Sequence, residues 1–304
     1  MLKNQKFGVV IEMTCITRAM VARIVASVLN SRTSAAQCGC YHTRTITDAS
    51  VRDWKVMRDS SIREQTATGH ATDEHKVEFV TPPLNYEDIE LLQNIVRELK
   101  IAGAVVNSSC GIHIHVDGAN HTPQSLRRLV NFMTARQDLI YEALEIGGRG
   151  NRWCKKLSPE LLKNIKGKKE LSKTEVEKVW YSPANDGYCQ GISHEHYNSN
   201  RYHVVNLHSY FSKGTVEFRL FNSTLHAGKI KAYIQFCFAV SAWSIKSIDK
   251  VVFHSMADYT AEQKVTIMRN ILTQRLGLLG NEFKTCRLYL MKPLKKNIAA
   301  SAAA

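Results

Sequence analysis

Histidine, glutamate and arginine side chains occur two residues apart inside strands that are otherwise apolar. His113 and His115 form one such pair, and Glu217 and Arg219 form another. Side chains at positions i and i+2 of a strand share one face, so each pair can project into a single cavity. This spacing predicts a site that combines imidazole, carboxylate and guanidinium groups.

Single carboxylates lie in or beside other apolar strands. Glu12 and Glu78 each lie within one, while Asp59 and Ser61 straddle the end of a third. A carboxylate in a buried strand costs several kcal/mol unless a cation or hydrogen-bond donors meet it. Several carboxylates with imidazole on one sheet indicate a hard divalent metal site, most simply for Mg²⁺ or Mn²⁺.

Other interpretations of these residues stay open. The glutamate–arginine pair could form an exposed, ion-paired ladder, and a lone strand glutamate could be an edge residue. His113 and His115 could face solvent, or they could bind zinc as the H-x-H pair of a hydrolase. Only the joint occurrence of these residues favours a functional site.

Hydrophobic periodicity predicts the elements that position these side chains. Short β-branched, apolar segments alternate with segments of helical spacing, and residues 31–50 read as a loop or small hairpin. No glycine-rich nucleotide fingerprint follows a strand, which favours an α+β layout with a mainly antiparallel sheet over a parallel α/β sheet. The predicted strands cover 6–13, 54–59, 76–81, 111–117, 202–207 and 215–221, and the predicted helices cover 18–30, 85–102, 122–144, 174–181, 230–248 and a segment opening at Thr260.

The chain is basic, with 41 Lys+Arg against 27 Asp+Glu in 304 residues and a formal net charge of +14. Such a charge favours polyanionic partners. The segment richest in lysine, at 155–169, is either a solvated face or a surface that attracts an acidic substrate. No RNA-binding aromatic motif or zinc-finger spacing accompanies it, which disfavours a nucleic-acid partner.

Composition also bears on the class of protein. At 44% hydrophobic and 22% charged residues, the chain can bury a core. No apolar run reaches the roughly 20 residues of a membrane helix, and the first residues lack signal-peptide order. Eight scattered cysteines without a CxxC pair suggest reduced thiols. These features predict a cytoplasmic protein without a membrane partner.

The strand motifs together resemble those of the amidoligase family, which is related to the carboxylate-amine ligases of the glutamine synthetase and glutamate-cysteine ligase fold. The motifs occur in the family's order over roughly residues 6–245. They are FGVVIE at 7–12, WKVMRDSS at 54–61, VEFVTPP at 77–83, GIHIHV at 111–116, RYHVVNL at 201–207 and TVEFRLF at 215–221, followed by Thr224 and Leu225.

The resemblance implies an ATP-dependent ligase whose curved, mainly antiparallel sheet carries helices on its convex face and holds metal and nucleotide on its concave face. A carboxylate substrate would attack the γ-phosphate to form an acyl phosphate, and an amine would displace phosphate to give an amide. The acid and amine would belong to an amino acid, a peptide or a protein. Phosphoryl transfer of this kind needs divalent ions, Mg²⁺ or Mn²⁺, and arginines that hold the phosphate oxygens.

Each motif carries an implied role. Glu12 and Glu78 would bind the metal nearer the substrate carboxylate, with Asp59 close by as a catalytic and substrate-binding residue. Ser61 would lie on the substrate side.

The later motifs would handle the nucleotide. His113 and Glu217 would bind the metal that bridges its phosphates, and His115 would be a supporting partner or an alternative ligand. Arg201 and Arg219 would grip the phosphate or acyl phosphate and so serve both nucleotide binding and catalysis.

One departure from the family pattern affects this expectation. The first strand of the family usually reads Gly-Val-Glu-Ile-Glu, and its first acid is replaced here by Val10. Position 10 shares the face of Glu12 in a strand, so valine removes a potential metal ligand. The replacement is compatible with an altered metal site, an inactivated enzyme or a member that binds ligands without turnover. The smaller departure is Ser60, where glycine is common.

The functional hypotheses are therefore an amide-forming ligase, a catalytically lapsed binding protein, a zinc hydrolase built on His113 and His115, and a nucleic-acid-binding protein, in that order. The predicted domains are a catalytic domain at 1–250, with an insertion-like basic region at 150–200, and a C-terminal helical extension with a flexible tail at 251–304. The sequence leaves the oligomeric state open.

Overall fold

The computed structural model describes residues 2–163, 168, 170–183, 191–248 and 259–301. Its strands form one seven-stranded sheet in the order β2-β3-β4-β1-β5-β7-β6. The pairs β1–β4, β2–β3, β3–β4 and β6–β7 are antiparallel. The strands are Phe7–Met13 (β1), Arg44–Thr47 (β2), Asp53–Met57 (β3), Val77–Val80 (β4), Gly111–Asp117 (β5), Val205–Asn206 (β6) and Thr215–Asn222 (β7).

The antiparallel strand pairs, together with helices in most of the connections, confirm the predicted α+β class with a mainly antiparallel sheet. The glutamine synthetase-like curvature of the sheet stays a prediction. The helices are Arg18–Val28 (α1), Ile89–Ile101 (α2), Pro123–Leu144 (α3), Pro159–Lys163 (α4), Lys173–Trp180 (α5), His208–Lys213 (α6), Ala227–Lys246 (α7), Ala261–Asn270 (α8) and Lys284–Ser301 (α9).

Several element ends follow from local sequence chemistry. β4 ends at Val80, two residues before the first of two prolines, since proline cannot donate to a ladder. α3 begins after Thr122, whose side chain accepts a hydrogen bond from the backbone N–H of Ser125, with proline at the first helical position. Gly103 follows α2 with φ +90°, a conformation that glycine adopts without strain.

Three helices differ from the sequence-based expectation. The first is the short α4, which lies where no helix was predicted. α6 lies in the short connection between β6 and β7, where no helix was expected, and β6 has only two residues. α9 continues to Ser301 through Pro293, beyond position 295 where the predicted tail begins. Proline normally ends or kinks a helix, so periodicity alone did not indicate α9.

The chain divides into two compact units. Unit 2 contains Lys3–Ile114 and Phe221–Ile234. Its core includes Trp54 of β3 and Phe79 of β4, whose rings stack at 6.0 Å. Helix α1 packs against β2, β3 and α2. Unit 2 therefore places β1, β3 and β4, the strands that carry or precede the predicted carboxylate ligands, on a well-packed core.

Unit 1 contains Met1–Leu2, His115–Leu220 and Gln235–Ala304. Phe132 of α3 packs on Trp243 of α7 at 5.0 Å, and α9 packs against α3 and α8. Gly118, the first residue after β5, lies very close to the backbone of Gly214. A Cβ atom at position 118 would lie 2.5 Å from the carbonyl oxygen of Gly214. The predicted domain boundary at 250 and 251 lies outside the described residues and stays a prediction.

Candidate functional site

Three carboxylates converge in unit 2. Glu12 of β1 and Glu78 of β4 are direct partners in the antiparallel ladder, and Asp59 follows the end of β3, which also pairs with β4. One oxygen atom from each carboxylate lies within 4.8 Å of the others. The pairing of these strands thus brings together three residues that span 66 positions of the sequence, from 12 to 78.

The electrostatics of this group favour a cation. Glu12 is only 3% exposed, and one of its carboxylate oxygens accepts a hydrogen bond from the backbone N–H of Gly111 at 2.6 Å. Carboxylates that face each other across two strands repel, and low local dielectric strengthens this repulsion. A divalent ion with oxygen ligands converts the repulsion into attraction. The three side chains therefore fit a hard ion such as Mg²⁺ or Mn²⁺.

An ion-pair network holds the segment that carries Asp59. The neighbouring residue, Arg58, pairs with Asp73 at 2.7 Å, and Asp73 also pairs with Arg18 at 3.3 Å. The side chain of Arg18 is 2% exposed and donates as well to the backbone oxygens of residues 73 and 76. Burial acts to raise the pKa of Asp73, but the hydrogen bond from Arg58 and the charges of both arginines outweigh it and lower the pKa. These contacts fix the chain on either side of the predicted substrate-side residues.

The remaining predicted residues of unit 2 lie against the carboxylates. The backbone N–H of Ser61 donates to Asp59 at 2.7 Å, and Ser61 itself is exposed. Nε2 of His113 lies 3.6 Å from a carboxylate oxygen of Glu12, beyond ordinary hydrogen-bond distance. In unit 2, His113 is therefore associated with Glu12. Its predicted sharing of a metal with Glu217, which belongs to unit 1, stays a prediction.

A second group of charged residues lies in unit 1. Glu217 and Arg219 of β7 form a buried ion pair at 2.6 Å. The other carboxylate oxygen of Glu217 accepts a hydrogen bond from Asn206 of β6 at 2.6 Å. Because each oxygen already has a strong partner, the structure holds Glu217 as an anchor for Arg219. A metal would have to compete with these contacts.

His115 belongs to the same network. Its Nδ1 lies 2.9 Å from the hydroxyl of Thr215 and 3.3 Å from that of Ser209, while Nε2 lies 3.9 Å from Glu217. Burial lowers the pKa of His115, and the positive charges nearby lower it further against the opposing effect of Glu217. The lowered pKa favours the neutral imidazole. A hydroxyl at Nδ1 can orient the ring so that Nε2 offers a lone pair or a proton toward Glu217.

Arg201 and Glu217 both affect the pKa values of two histidines in unit 1. Burial and, after it, the charge of Arg201 lower the pKa of His208 to about 4, against the opposing effect of Glu217. Burial also lowers the pKa of His196, and the charge of Arg201 is the next largest cause of that lowering. The arrangement suits an anionic ligand, since a phosphate would be stabilised by the arginines.

Sequence reasoning did not assign roles to Asn206, Thr215, Ser209 or the Arg18–Asp73 pair. Asn206 and Thr215 lie inside quoted motifs, so their polar side chains in apolar strands were a usable signal. Ser209 lies on the unexpected helix α6. The pairing of Arg18 with Asp73 joins residues 55 positions apart and has no local signature.

The basic run is largely neutralised where the structure describes it. Three of its lysines form ion pairs with acidic side chains, each partly exposed to solvent. Lys166 and Lys169 lie outside the described residues. These pairs favour the solvated-face interpretation over a bare surface for a polyanion. The pairs are Lys156–Asp138, Lys163–Glu160 and Lys168–Glu175.

Comparison with protein families decides the relationship that the motifs suggested. The sequence model of the family described as "Putative amidoligase enzyme" matches residues 3–241. The chain belongs to this amidoligase family. None of the curated proteins compared with the chain matches it.

The family match spans all seven described strands and every residue of the two charged groups described in this section, and it ends before α8 and α9. Membership in the family indicates a ligase that forms amide bonds and therefore acts on substrates of some kind. Within the described residues, no helix of this amidoligase combines the length and hydropathy that a membrane span requires.

Proposed function

We propose that this amidoligase joins a carboxylate to an amine at the expense of ATP, through an acyl-phosphate intermediate. The observation that carries the proposal is the convergence of Glu12, Asp59 and Glu78, whose carboxylate oxygens lie within 4.8 Å of one another. A ligase that activates a carboxylate with ATP needs a divalent ion to neutralise the reacting anions. Three carboxylates, two on paired strands and one just after a third strand, are suited to holding such an ion.

The proposed reaction has two steps. A carboxylate oxygen of the substrate attacks the γ-phosphorus of ATP, the bond to the β-phosphate oxygen breaks, and ADP leaves. The amine nitrogen then attacks the acyl carbon, the carbon–oxygen bond to phosphate breaks, and the nitrogen loses a proton as the amide forms. One carboxylate oxygen of the substrate therefore ends in inorganic phosphate.

The residues of the chain would divide this work by charge. Glu12, Asp59 and Glu78 would hold Mg²⁺ or Mn²⁺, which when bound supplies charge neutralisation for the phosphate and the substrate carboxylate. Arg219, positioned by its ion pair with Glu217, would hold transferring phosphate oxygens together with Arg201. Ser61 would contact the acid substrate, which we expect to be an amino acid, a peptide or a protein side chain.

Isotope transfer tests this mechanism directly. The chain is incubated with ATP, Mg²⁺, the twenty amino acids as amines, and ¹⁸O-carboxylate-labelled glutamate and aspartate as acids. We expect ADP release that requires Mg²⁺ and both substrates, with ¹⁸O appearing in inorganic phosphate by mass spectrometry. Glu78→Gln should abolish the release, while Glu90→Gln, which changes an exposed carboxylate of α2 in the same unit, should leave it unchanged.

Calorimetry with a non-hydrolysable ATP analogue and Mg²⁺ makes the test independent of the acid and amine offered. Absence of nucleotide binding would refute the proposal. Release of ADP without ¹⁸O in phosphate would refute the acyl-phosphate step while leaving ATP hydrolysis in place.

A catalytically lapsed binding protein is the second candidate, and Val10 is the observation that favours it. Val10 is buried and pairs across the ladder with Val80, two positions from the Glu12–Glu78 pair on the same face. An apolar pair thus occupies the place where the family usually has an additional acid. In this case the chain would bind nucleotide and Mg²⁺ without turnover.

The variant Val10→Glu separates the two candidates. If the rest of the site is competent, the added carboxylate should create or raise Mg²⁺-dependent ADP release. Val80→Glu is the matched control, since it adds the same charge to the other member of the ladder pair. Turnover in the unmodified chain would exclude the lapsed interpretation.

A further inference from the structure

The ring of Tyr202 contacts both arginines that the sequence singled out. The guanidinium carbon of Arg219 lies 5.5 Å from the ring centroid, and that of Arg201 lies 5.6 Å from it. Both distances are within the range of cation–π attraction. One aromatic side chain in unit 1 therefore touches two guanidinium groups that lie 18 positions apart in the sequence, at 201 and 219.

The backbone and the neighbouring ring hold Tyr202 in place. Its carbonyl oxygen accepts a hydrogen bond from the backbone N–H of Lys155 at 2.8 Å, and its own N–H donates to Ser199 at 3.1 Å. Trp153 meets the ring edge-on with centroids 5.5 Å apart. Because its backbone is hydrogen-bonded on both sides of the residue and Trp153 packs on its ring, Tyr202 can act as a platform.

Each arginine also has an anchor on its other side. Arg201 donates to the backbone oxygen of His196 at 2.6 Å. Arg219 pairs with Glu217 at 2.6 Å, and its Nε lies 3.5 Å from the backbone oxygen of Trp153. Each guanidinium group thus contacts the shared ring and at least one further partner.

A ring face is well suited to positioning an anion-binding arginine. A guanidinium group carries five N–H donors, all of which lie in its plane. A cation–π contact does not itself use these donors, whereas a carboxylate partner does, as Glu217 uses one donor of Arg219. The ring also attracts two like charges that would otherwise repel each other.

We propose that Tyr202 is the positioning residue that sets Arg201 and Arg219 together for one phosphate-bearing ligand. Identification of that ligand as ATP rests on the proposed function, but the pairing of the arginines does not. Removing the aromatic ring should loosen both guanidinium groups, while removing only the phenol oxygen should not.

Three variants separate this role from general packing. Tyr202→Phe keeps the ring and Tyr202→Leu removes it. Tyr210→Leu is the control, since Tyr210 lies in the same unit with Lys173 over its ring at 5.2 Å. Calorimetry of the full chain with Mg²⁺ and a non-hydrolysable ATP analogue measures affinity, and a second titration uses inorganic tripolyphosphate. Thermal unfolding of each variant measures stability.

We expect Tyr202→Leu to weaken binding of both ligands about tenfold, as the loss of two cation–π contacts implies. Tyr202→Phe and Tyr210→Leu should stay within about twofold of the unmodified chain. In an Arg201→Ala background, the effect of Tyr202→Leu should shrink to about threefold, because only the contact with Arg219 is left to lose.

Equal affinity of Tyr202→Leu and the unmodified chain would overturn the proposal, as would full additivity with Arg201→Ala. A loss of affinity equal to that of Tyr210→Leu would also overturn it, since general packing would then explain the effect. Binding of tripolyphosphate without the ATP analogue would refute the proposed function and leave the role of Tyr202 standing. Binding of neither ligand would refute both.

Discussion

Replacing Glu78 by glutamine should change stability in opposite directions with and without Mg²⁺. Glu78 faces Glu12 across the β1–β4 ladder, and both lie within 4.8 Å of Asp59. Without a cation, the variant removes like-charge repulsion at nearly constant side-chain volume and should be more stable than the unmodified chain. With Mg²⁺, the unmodified chain should gain stability that the variant lacks.

The magnitude follows from the separation of the charges. At 4.8 Å, the upper bound on the separation of these oxygen atoms, two unit charges interact by about 1 kcal/mol in bulk water and by about 3.5 kcal/mol at an effective dielectric constant of 20. Glu12 is 3% exposed but Glu78 is half-buried, so we expect a stabilisation of about 1–3 kcal/mol in the metal-free protein. An ion present at a hundredfold excess over its Kd adds about 2.7 kcal/mol to the unmodified chain.

Urea unfolding in chelator and in millimolar Mg²⁺ measures both effects. The curves of the two proteins should cross, with Glu78→Gln more stable in chelator and the unmodified chain more stable in Mg²⁺. Asp59→Asn should behave like Glu78→Gln. Glu90→Gln should stay within about 0.5 kcal/mol of the unmodified chain under both conditions, since its carboxylate is an exposed surface group.

Two results would refute this reasoning. If Glu78→Gln is less stable than the unmodified chain in chelator, the carboxylates stabilise the metal-free fold and their convergence does not indicate a cation site. If the unmodified chain gains no stability from Mg²⁺ or Mn²⁺, the group does not bind the ions to which it is chemically suited.

Three further predictions concern the surroundings of the site. Asp73→Asn should destabilise the protein by about 1 kcal/mol at pH 7. The folded state lowers the pKa of Asp73, so the stability that Asp73 contributes is present above its ordinary pKa and is lost as the pH falls through its pKa in the folded state. Urea unfolding at pH 7 and pH 3 should therefore show that the variant loses less stability in acid than the unmodified chain does. Thr215→Val removes the hydroxyl 2.9 Å from Nδ1 of His115 and should cost about 1 kcal/mol, and unchanged imidazole ¹⁵N shifts would contradict its role in fixing the tautomer. Replacing three paired lysines of the basic run by glutamine should leave the affinity for the ATP analogue within twofold by calorimetry; the lysines are Lys156, Lys163 and Lys168. A loss of affinity in proportion to the charge removed would instead show that the run binds the nucleotide.

Much of the fold was predictable because its signals are local. The β-branched strand at 7–13 and the proline stop after β4 follow from two-residue periodicity and backbone chemistry. The threonine cap of α3 is equally local. The α6 helix and the full length of α9 escaped prediction because one lies in a short polar connection and the other contains an internal proline.

The candidate site shows a similar division. The types of its acidic and basic residues, and their placement two apart in apolar strands, were visible in the sequence. Ladder register then decided that Glu12 faces Glu78, and the end of β3 decided that Asp59 joins them. Nothing in the sequence indicated that His113 would lie beside Glu12 while His115 would lie beside Thr215.

The sequence by itself determined most of the strands, the residue types available for metal and phosphate chemistry, and the family to which they point, although it left β2 inside a segment predicted as a loop or small hairpin. Only the tertiary structure decided that Glu217 and Arg219 pair with each other and that Tyr202 lies against both Arg201 and Arg219. The physical reason is that strand periodicity fixes the face on which a side chain lies, whereas its partners depend on which strands and loops pack beside it.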